Sequence, residues 1–271
     1  MTRQYCHVGP RTIAYLDSVP GGVDLRTIVL LHAFPLGAGM WEPQIRGIPH
    51  GWRLLTPDLR GFGGSTATDG PSPTMDDYAI DVMSLLSELG ITRAVIGGCS
   101  MGGYATFALL RRQPELASGV VLVDTRMGVD SSEGRANRRS MLALVDREGP
   151  SGVARDMMPK LLGQTTRDSD PTIESTVRRL IKQQSPDGIR GAIQRMMDRL
   201  DATAVLQALR VPTLVVVGEE DALTPVEESR RMAAAIPGAQ LEVIPGAGHL
   251  SNLEQPERFN AVLAKFLEGL P

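Results

Sequence analysis

Hydrophobic and polar positions change rhythm along the chain. Residues 3–8 and 12–16 alternate with period two on either side of Gly9-Pro10, the pattern of an antiparallel hairpin. From residue 27 the rhythm changes. TIVLLHA at 27–33 is an unbroken apolar run, as a strand buried on both faces requires. Comparable runs recur at 53–56, 94–97, 119–123, 213–217 and 241–244. Helical periods lie between several of them, at 78–89, 101–112, 227–235 and 256–267. Alternating strands and helices predict an α/β fold, a mostly parallel sheet of about eight strands covered by helices on both faces. The alternation breaks once. Between 126 and 201 only helix-like segments occur, at 135–148, 151–162, 173–184 and 188–200. This predicts a helical cap at 126–202, inserted into a core made of 1–125 and 203–271.

Composition narrows the class. A chain of 271 residues with 42% hydrophobic and 22% charged positions is that of a globular protein. The formal net charge of −3 supplies no field that would recruit nucleic acid or an anionic membrane. Cys6 and Cys99 make no disulfide framework, and His7, His32, His50 and His249 are scattered without metal-ligand spacing. No apolar run approaches the roughly 18–20 residues that cross a bilayer, and the N-terminus has no signal-peptide core. The expectation is a cytoplasmic protein without metal or organic cofactor, acting on a small molecule.

The chemistry concentrates at GCSMG, residues 98–102. It follows the strand AVIG and precedes the helix MGGYATFALLRR, so the chain must turn within two or three residues. Such a turn leaves the Ser100 hydroxyl standing proud of the sheet and needs small neighbours, which Gly98, Gly102 and Gly103 supply. It also puts the N–H of Met101 at a helix N-terminus, where it can stabilise an oxyanion. Cys99 reads as a small buried filler facing away from the cleft.

Around this motif the chain resembles the α/β-hydrolase superfamily over essentially its whole length. HAFP at 32–35, DLRGFGGS at 58–65, GEEDALTP at 218–225 and GAGHLSNLEQPERF at 246–259 are similar to that family's motifs, in order. One departure is Ala33, where the family usually has glycine. The resemblance implies Phe34 N–H as the second oxyanion donor and no catalytic role for His32, which tethers its loop. The glycine-rich DLRGFGGS lacks a P-loop lysine, so Asp58 and Arg60 are read as holding that loop beside Ser100.

A serine needs a base to take its proton, and an imidazole suits that task. His249 follows the strand LEVI and the stretch Pro245-Gly246-Ala247-Gly248, which puts it at the carboxyl edge of the sheet with Ser100. Asp221 follows the strand TLVVVG at the same edge and is read as the acid that orients the base. The order Ser100, Asp221, His249 is that of the resembled family. Asp124, at the end of the preceding strand, is the rival acid, since some family members place theirs there. Here it is read as tying the first turn of the cap to the core. Glu219 and Glu220 are expected to face solvent.

The cap carries 14 of the 28 basic residues and 11 of the 31 acidic ones, a hint of an anionic substrate. Its six methionines suit an adaptable apolar pocket or simply helix packing. The reading is hydrolysis of a carboxylic ester or lactone through an acyl-enzyme, with a resemblance to 3-oxoadipate enol-lactonases and related carboxylesterases. Cofactor-free haloperoxidases, which are perhydrolases, are the nearest alternative; Pro35 beside Phe34 is the feature behind it. Carbon–carbon bond hydrolysis is a further alternative, and a non-catalytic small-molecule receptor on the same scaffold is another. Haloalkane dehalogenation is disfavoured, because it needs a carboxylate where Ser100 stands.

Overall fold

The computed structural model describes residues 2–22, 25–67 and 73–270. Its eight strands are β1 (Gln4–Val8), β2 (Arg11–Asp17), β3 (Arg26–Leu31), β4 (Trp52–Pro57), β5 (Ala94–Cys99), β6 (Ala117–Val123), β7 (Thr213–Gly218) and β8 (Gln240–Ile244). They form one sheet in the order β1-β2-β4-β3-β5-β6-β7-β8. Pairing is antiparallel for β1 with β2 and β2 with β4, and parallel from β4 onward. The expected α/β sheet is therefore present. Burial follows position. β1, at one edge, alternates half-buried with exposed residues, whereas every residue of the central β5 is buried.

Eleven α-helices are described: α1 (Glu42–Arg46), α2 (Met75–Glu88), α3 (Met101–Arg112), α4 (Ser132–Leu161), α5 (Gln164–Ser169), α6 (Pro171–Lys182), α7 (Pro186–Met197), α8 (Thr203–Gln207), α9 (Val226–Ala235), α10 (Ser251–Glu254) and α11 (Pro256–Glu268). α2 begins where Thr74 and Asp77 form a reciprocal capping box. It packs on α3, and α3 in turn packs on β5 and β3. α1, α10 and α11 form a second group, with α11 against β8.

Between β6 and β7 the described chain is helical, and α6 and α7 both pack on α4. Two segments read separately from the sequence, at 135–148 and 151–162, join into α4. The break survives as a kink, because Gly149 takes a positive φ of 60° just before Pro150. Among the described residues, no helix is long and apolar enough to cross a membrane.

The sheet is what places the chemistry. Parallel strands share one carboxyl edge, and the segments leaving β3, β5, β6, β7 and β8 all emerge there.

Candidate active site

β5 passes into α3 across one residue, Ser100, which adopts φ 52°, ψ −111°. A non-glycine residue in that region costs on the order of 1–3 kcal/mol, which its surroundings must offset. They do so through hydrogen bonds. The Ser100 N–H donates to the Val123 carbonyl (2.9 Å), and its own carbonyl accepts from Gly103 N–H (2.9 Å) and the Thr125 hydroxyl (2.9 Å). The neighbours must be small. A Cβ on Gly98 would lie 2.5 Å from the Gly102 carbonyl carbon, and one on Gly102 would lie 2.2 Å from the Leu31 oxygen.

Met101 opens α3, and Phe34 follows β3 in a loop whose Phe34–Pro35 bond is cis. The neighbouring amides are occupied: Ala33 N–H donates to Met40 Sδ (3.1 Å) and Leu36 N–H to the Ala33 carbonyl (2.9 Å). Among the described residues none accepts from the Phe34 or Met101 amide. The loop is pinned by His32, fully buried, whose Nε2 accepts from Leu59 N–H (3.0 Å) while Nδ1 donates to the Ala33 carbonyl (3.0 Å). Burial lowers the His32 pKa, so it stays neutral in this role. Asp58 accepts Ala38 N–H (2.8 Å) and Gly64 N–H (3.1 Å), and Arg60 is bidentate to Asp81 on α2, so both hold loops as expected.

His249 sits on the loop after β8, only 2% exposed. Its Nδ1 lies 2.8 Å from Asp221 Oδ2. Asp221 is itself 4% exposed and is fixed by three further donors: the amides of Leu223 (2.8 Å) and Thr224 (2.9 Å), and the Thr224 hydroxyl. Burial works against both charges, yet each partner's charge prevails. The His249 pKa is raised and that of Asp221 lowered. The Cys99 thiol, next to Ser100, points at the His249 carbonyl (3.7 Å), so the histidine loop rests against the turn that carries the serine. Burial, with Asp124, Asp221 and Glu254 nearby, pushes the Cys99 thiol well up, so it is an inert filler.

Asp124 differs from its expected part. It is fully buried with φ 44°, and among the described residues its hydrogen-bond partners lie outside the helical insertion. Its Oδ1 accepts Gly218 N–H (2.8 Å), while Oδ2 accepts the Ser251 amide (3.2 Å) and hydroxyl (2.6 Å). It thus joins the end of β6 to the acid and histidine loops. Asp130, six residues on, ties the insertion's first turn to other parts of the insertion. It binds Arg126 (2.7 Å), Arg138 (3.1 Å) and Arg199 (2.9 Å), and although burial opposes it, Arg199 and Arg138 hold its pKa down to about 2. Glu219 is exposed as expected. Glu220 is not idle, because it accepts the Thr165 amide (2.9 Å) and hydroxyl.

The alpha/beta hydrolase fold model matches residues 26–256, which takes in every residue just described. The chain belongs to the alpha/beta hydrolase fold family. A thermophilic esterase from Thermogutta terrifontis, solved with malate bound, superposes with a TM-score of 0.92 at 38% identity, over 100% of this chain and 99% of that one. The enol-lactonase from Burkholderia xenovorans superposes at 0.89 with 27% identity, over 98% and 100%. A 3-oxoadipate enol-lactonase from Acinetobacter baylyi is 27% identical across 91% of each chain. The chain is thus an alpha/beta-fold hydrolase whose relatives act on small molecules.

Sequence reasoning about this hydrolase missed Thr224, Ser251 and Glu254. Thr224 had a local signal, since an aspartate three residues ahead of a threonine is the spacing at which a carboxylate caps an amide. Ser251 and Glu254 had none, because their partners lie on other segments.

Proposed function

We propose that the protein hydrolyses a carboxylic ester or lactone through an acyl-enzyme. The observation that carries this reading is the 2.8 Å contact between His249 Nδ1 and Asp221 Oδ2, on loops at the carboxyl edge where Ser100 is held in its strained turn. With Nδ1 committed to Asp221, Nε2 is the nitrogen available to take the Ser100 proton. The freed alkoxide attacks the carbonyl, and the developing oxyanion is met by the amides of Phe34 and Met101. The imidazolium returns its proton to the leaving alcohol, and water repeats the sequence on the acyl-serine. Residues 126–202 serve as the cap that roofs the cleft.

Ser100→Ala should lower kcat by at least about 10⁴-fold with unchanged thermal stability, since the three groups act as a unit. A fluorophosphonate should label wild type at Ser100. Wild-type turnover in the alanine variant would overturn the reading.

One cluster favours an ester bearing an anionic group. Arg126, Arg138 and Arg199 converge on the single carboxylate of Asp130, leaving two positive charges uncompensated within the cluster. Arg199 also stacks over Tyr104, which lies one turn past Ser100 on α3 (4.3 Å to the ring centroid). Thr125, the neighbour of Arg126, donates to the Ser100 carbonyl, so the cluster borders the elbow. The Thermogutta esterase is described with malate, a dicarboxylate, bound. Arg126→Gln should raise KM for a monoester of a dicarboxylic acid about tenfold and leave a neutral ester unaffected. Equal effects on both would remove the anionic preference.

A further inference from the structure

The seam between the helical insertion and the histidine loop is held by one buried carboxylate. Glu254, on α10, is 5% exposed. Its Oε1 accepts the amides of Gly248 (2.9 Å) and Leu250 (3.1 Å), and so brackets His249 from both sides. Its Oε2 accepts the amide of Gly163 (2.8 Å), just past the end of α4. The His249 amide donates to the carbonyl of Leu161, the last residue of α4 (3.1 Å). Three consecutive amides of the histidine loop are therefore committed to holding it in place. The two backbones also touch. A Cβ on Gly248 would lie 2.2 Å from the Gly163 nitrogen, and one on Gly163 would lie 2.8 Å from the Gly248 nitrogen. On the acid side, Glu220 grips Thr165 in the same stretch. A buried carboxylate is costly, and this one meets donors from the histidine loop and the insertion at once.

We propose that Glu254 is a positioning residue for hydrolysis, tying the loop of His249 to the end of α4 so that seating of the insertion and presentation of the imidazole are one event. The inference rests on reading His249 as the base.

A second consequence is electrostatic. The groups around His249 are Asp221 and Thr224 from the loop after β7, Asp124 from the end of β6, Glu254 from α10, and Cys99 from the end of β5. Burial lowers the His249 pKa, while the charges of Asp221, Asp124 and Glu254 raise it. Burial also pushes Glu254 itself up, so it takes a proton at a higher pH than an ordinary glutamate. The neutral acid keeps fewer acceptor sites for three amides. Acidification thus charges the base and loosens its mount together.

The experiment measures kcat and kcat/KM against pH with p-nitrophenyl acetate for wild type, Glu254→Gln, Glu254→Asp and Ser100→Ala, with hydrogen exchange on the first two. Glutamine keeps the size, loses the charge and turns an amide NH2 toward N–H donors. Its kcat should fall roughly 10- to 100-fold, as a displaced catalytic group does. The acid limb of its kcat/KM profile should move down by at least about half a pH unit, the effect of removing one nearby negative charge. Amides at 161–166 and 246–254 should exchange faster together. Aspartate keeps the charge but falls one methylene short, so its kcat should drop while the acid limb stays where it is. Wild-type kcat in Glu254→Gln, a lowered kcat with an unmoved acid limb, or faster exchange confined to the histidine loop would each overturn the proposal. If the glutamine variant fails to fold, Glu254→Asp decides, and wild-type kcat there overturns it. Activity surviving in Ser100→Ala would defeat the serine-hydrolase reading by itself. A dead Ser100→Ala beside an unaffected Glu254→Gln would defeat only this inference.

Discussion

β6 and β7 are neighbouring parallel strands, and an aspartate follows each at the carboxyl edge: Asp124 directly, Asp221 three residues beyond Gly218. Both are buried and both lie close enough to His249 to raise its pKa. They differ in what they bind. Asp221 takes the imidazole together with local donors from its own turn. The Asp124 carboxylate takes Gly218 and Ser251, from segments 94 and 127 residues away. The electrostatics follow. Asp221 gains from the imidazolium and its pKa falls, whereas burial and the Asp221 charge drive that of Asp124 well up. A place at the edge does not assign the acid. In the proposed reading it is assigned by the donor that each carboxylate meets.

The most severe test of this contrast is Asp221→Asn. It should lower kcat by roughly 10³- to 10⁴-fold, because an amide neither selects the right tautomer nor stabilises the imidazolium. Thermal stability should change little. A smaller loss than that of Asp124→Asn would reverse the assignment.

Asp124→Asn should cost about tenfold or less in kcat, acting through the two loops it joins. It should also cost about 1–3 kcal/mol in stability, since an amide NH2 faces donors that a carboxylate accepts. Chemical denaturation separates this from the effect at Asp221.

The pH profile sharpens the comparison further. If His249 is the base it acts neutral, and its pKa is raised, so kcat/KM should rise with pH through an apparent pKa above the ordinary imidazole value of about 6.5. Removing the Asp124 charge should move that limb toward lower pH. A limb below the ordinary value in wild type would contradict the assigned charges.

The smallest expected effect is at Thr224→Val, which deletes the hydroxyl donated to Asp221 Oδ2 and keeps the side chain's shape. The loss of one hydrogen bond corresponds to about two- to tenfold in kcat. An unchanged kcat would mean that the two backbone amides alone hold the acid.

Much of this was legible along the chain, and the reason is local. Period-two and unbroken apolar runs reported the strands. A strand running into a helix through Gly98, Ser100 and Gly102 reported the elbow, because the turn is made by residues adjacent in sequence. Parallel topology then brought the segments of Asp221 and His249 to the same edge, since loops leaving parallel strands share it. The part of Asp124 was not legible. Its sequence position reads as tying the first turn of the cap to the core, but its carboxylate meets Gly218 and Ser251, while Asp130 ties that turn to Arg126, Arg138 and Arg199 within the insertion itself. Thr224 lay within reach of a local rule, whereas Glu254 did not, because Gly163 stands 91 residues before it. A buried carboxylate must find donors among whatever backbone arrives beside it. That arrival is decided only when three separate segments close on one another, and no spacing within one of them records it.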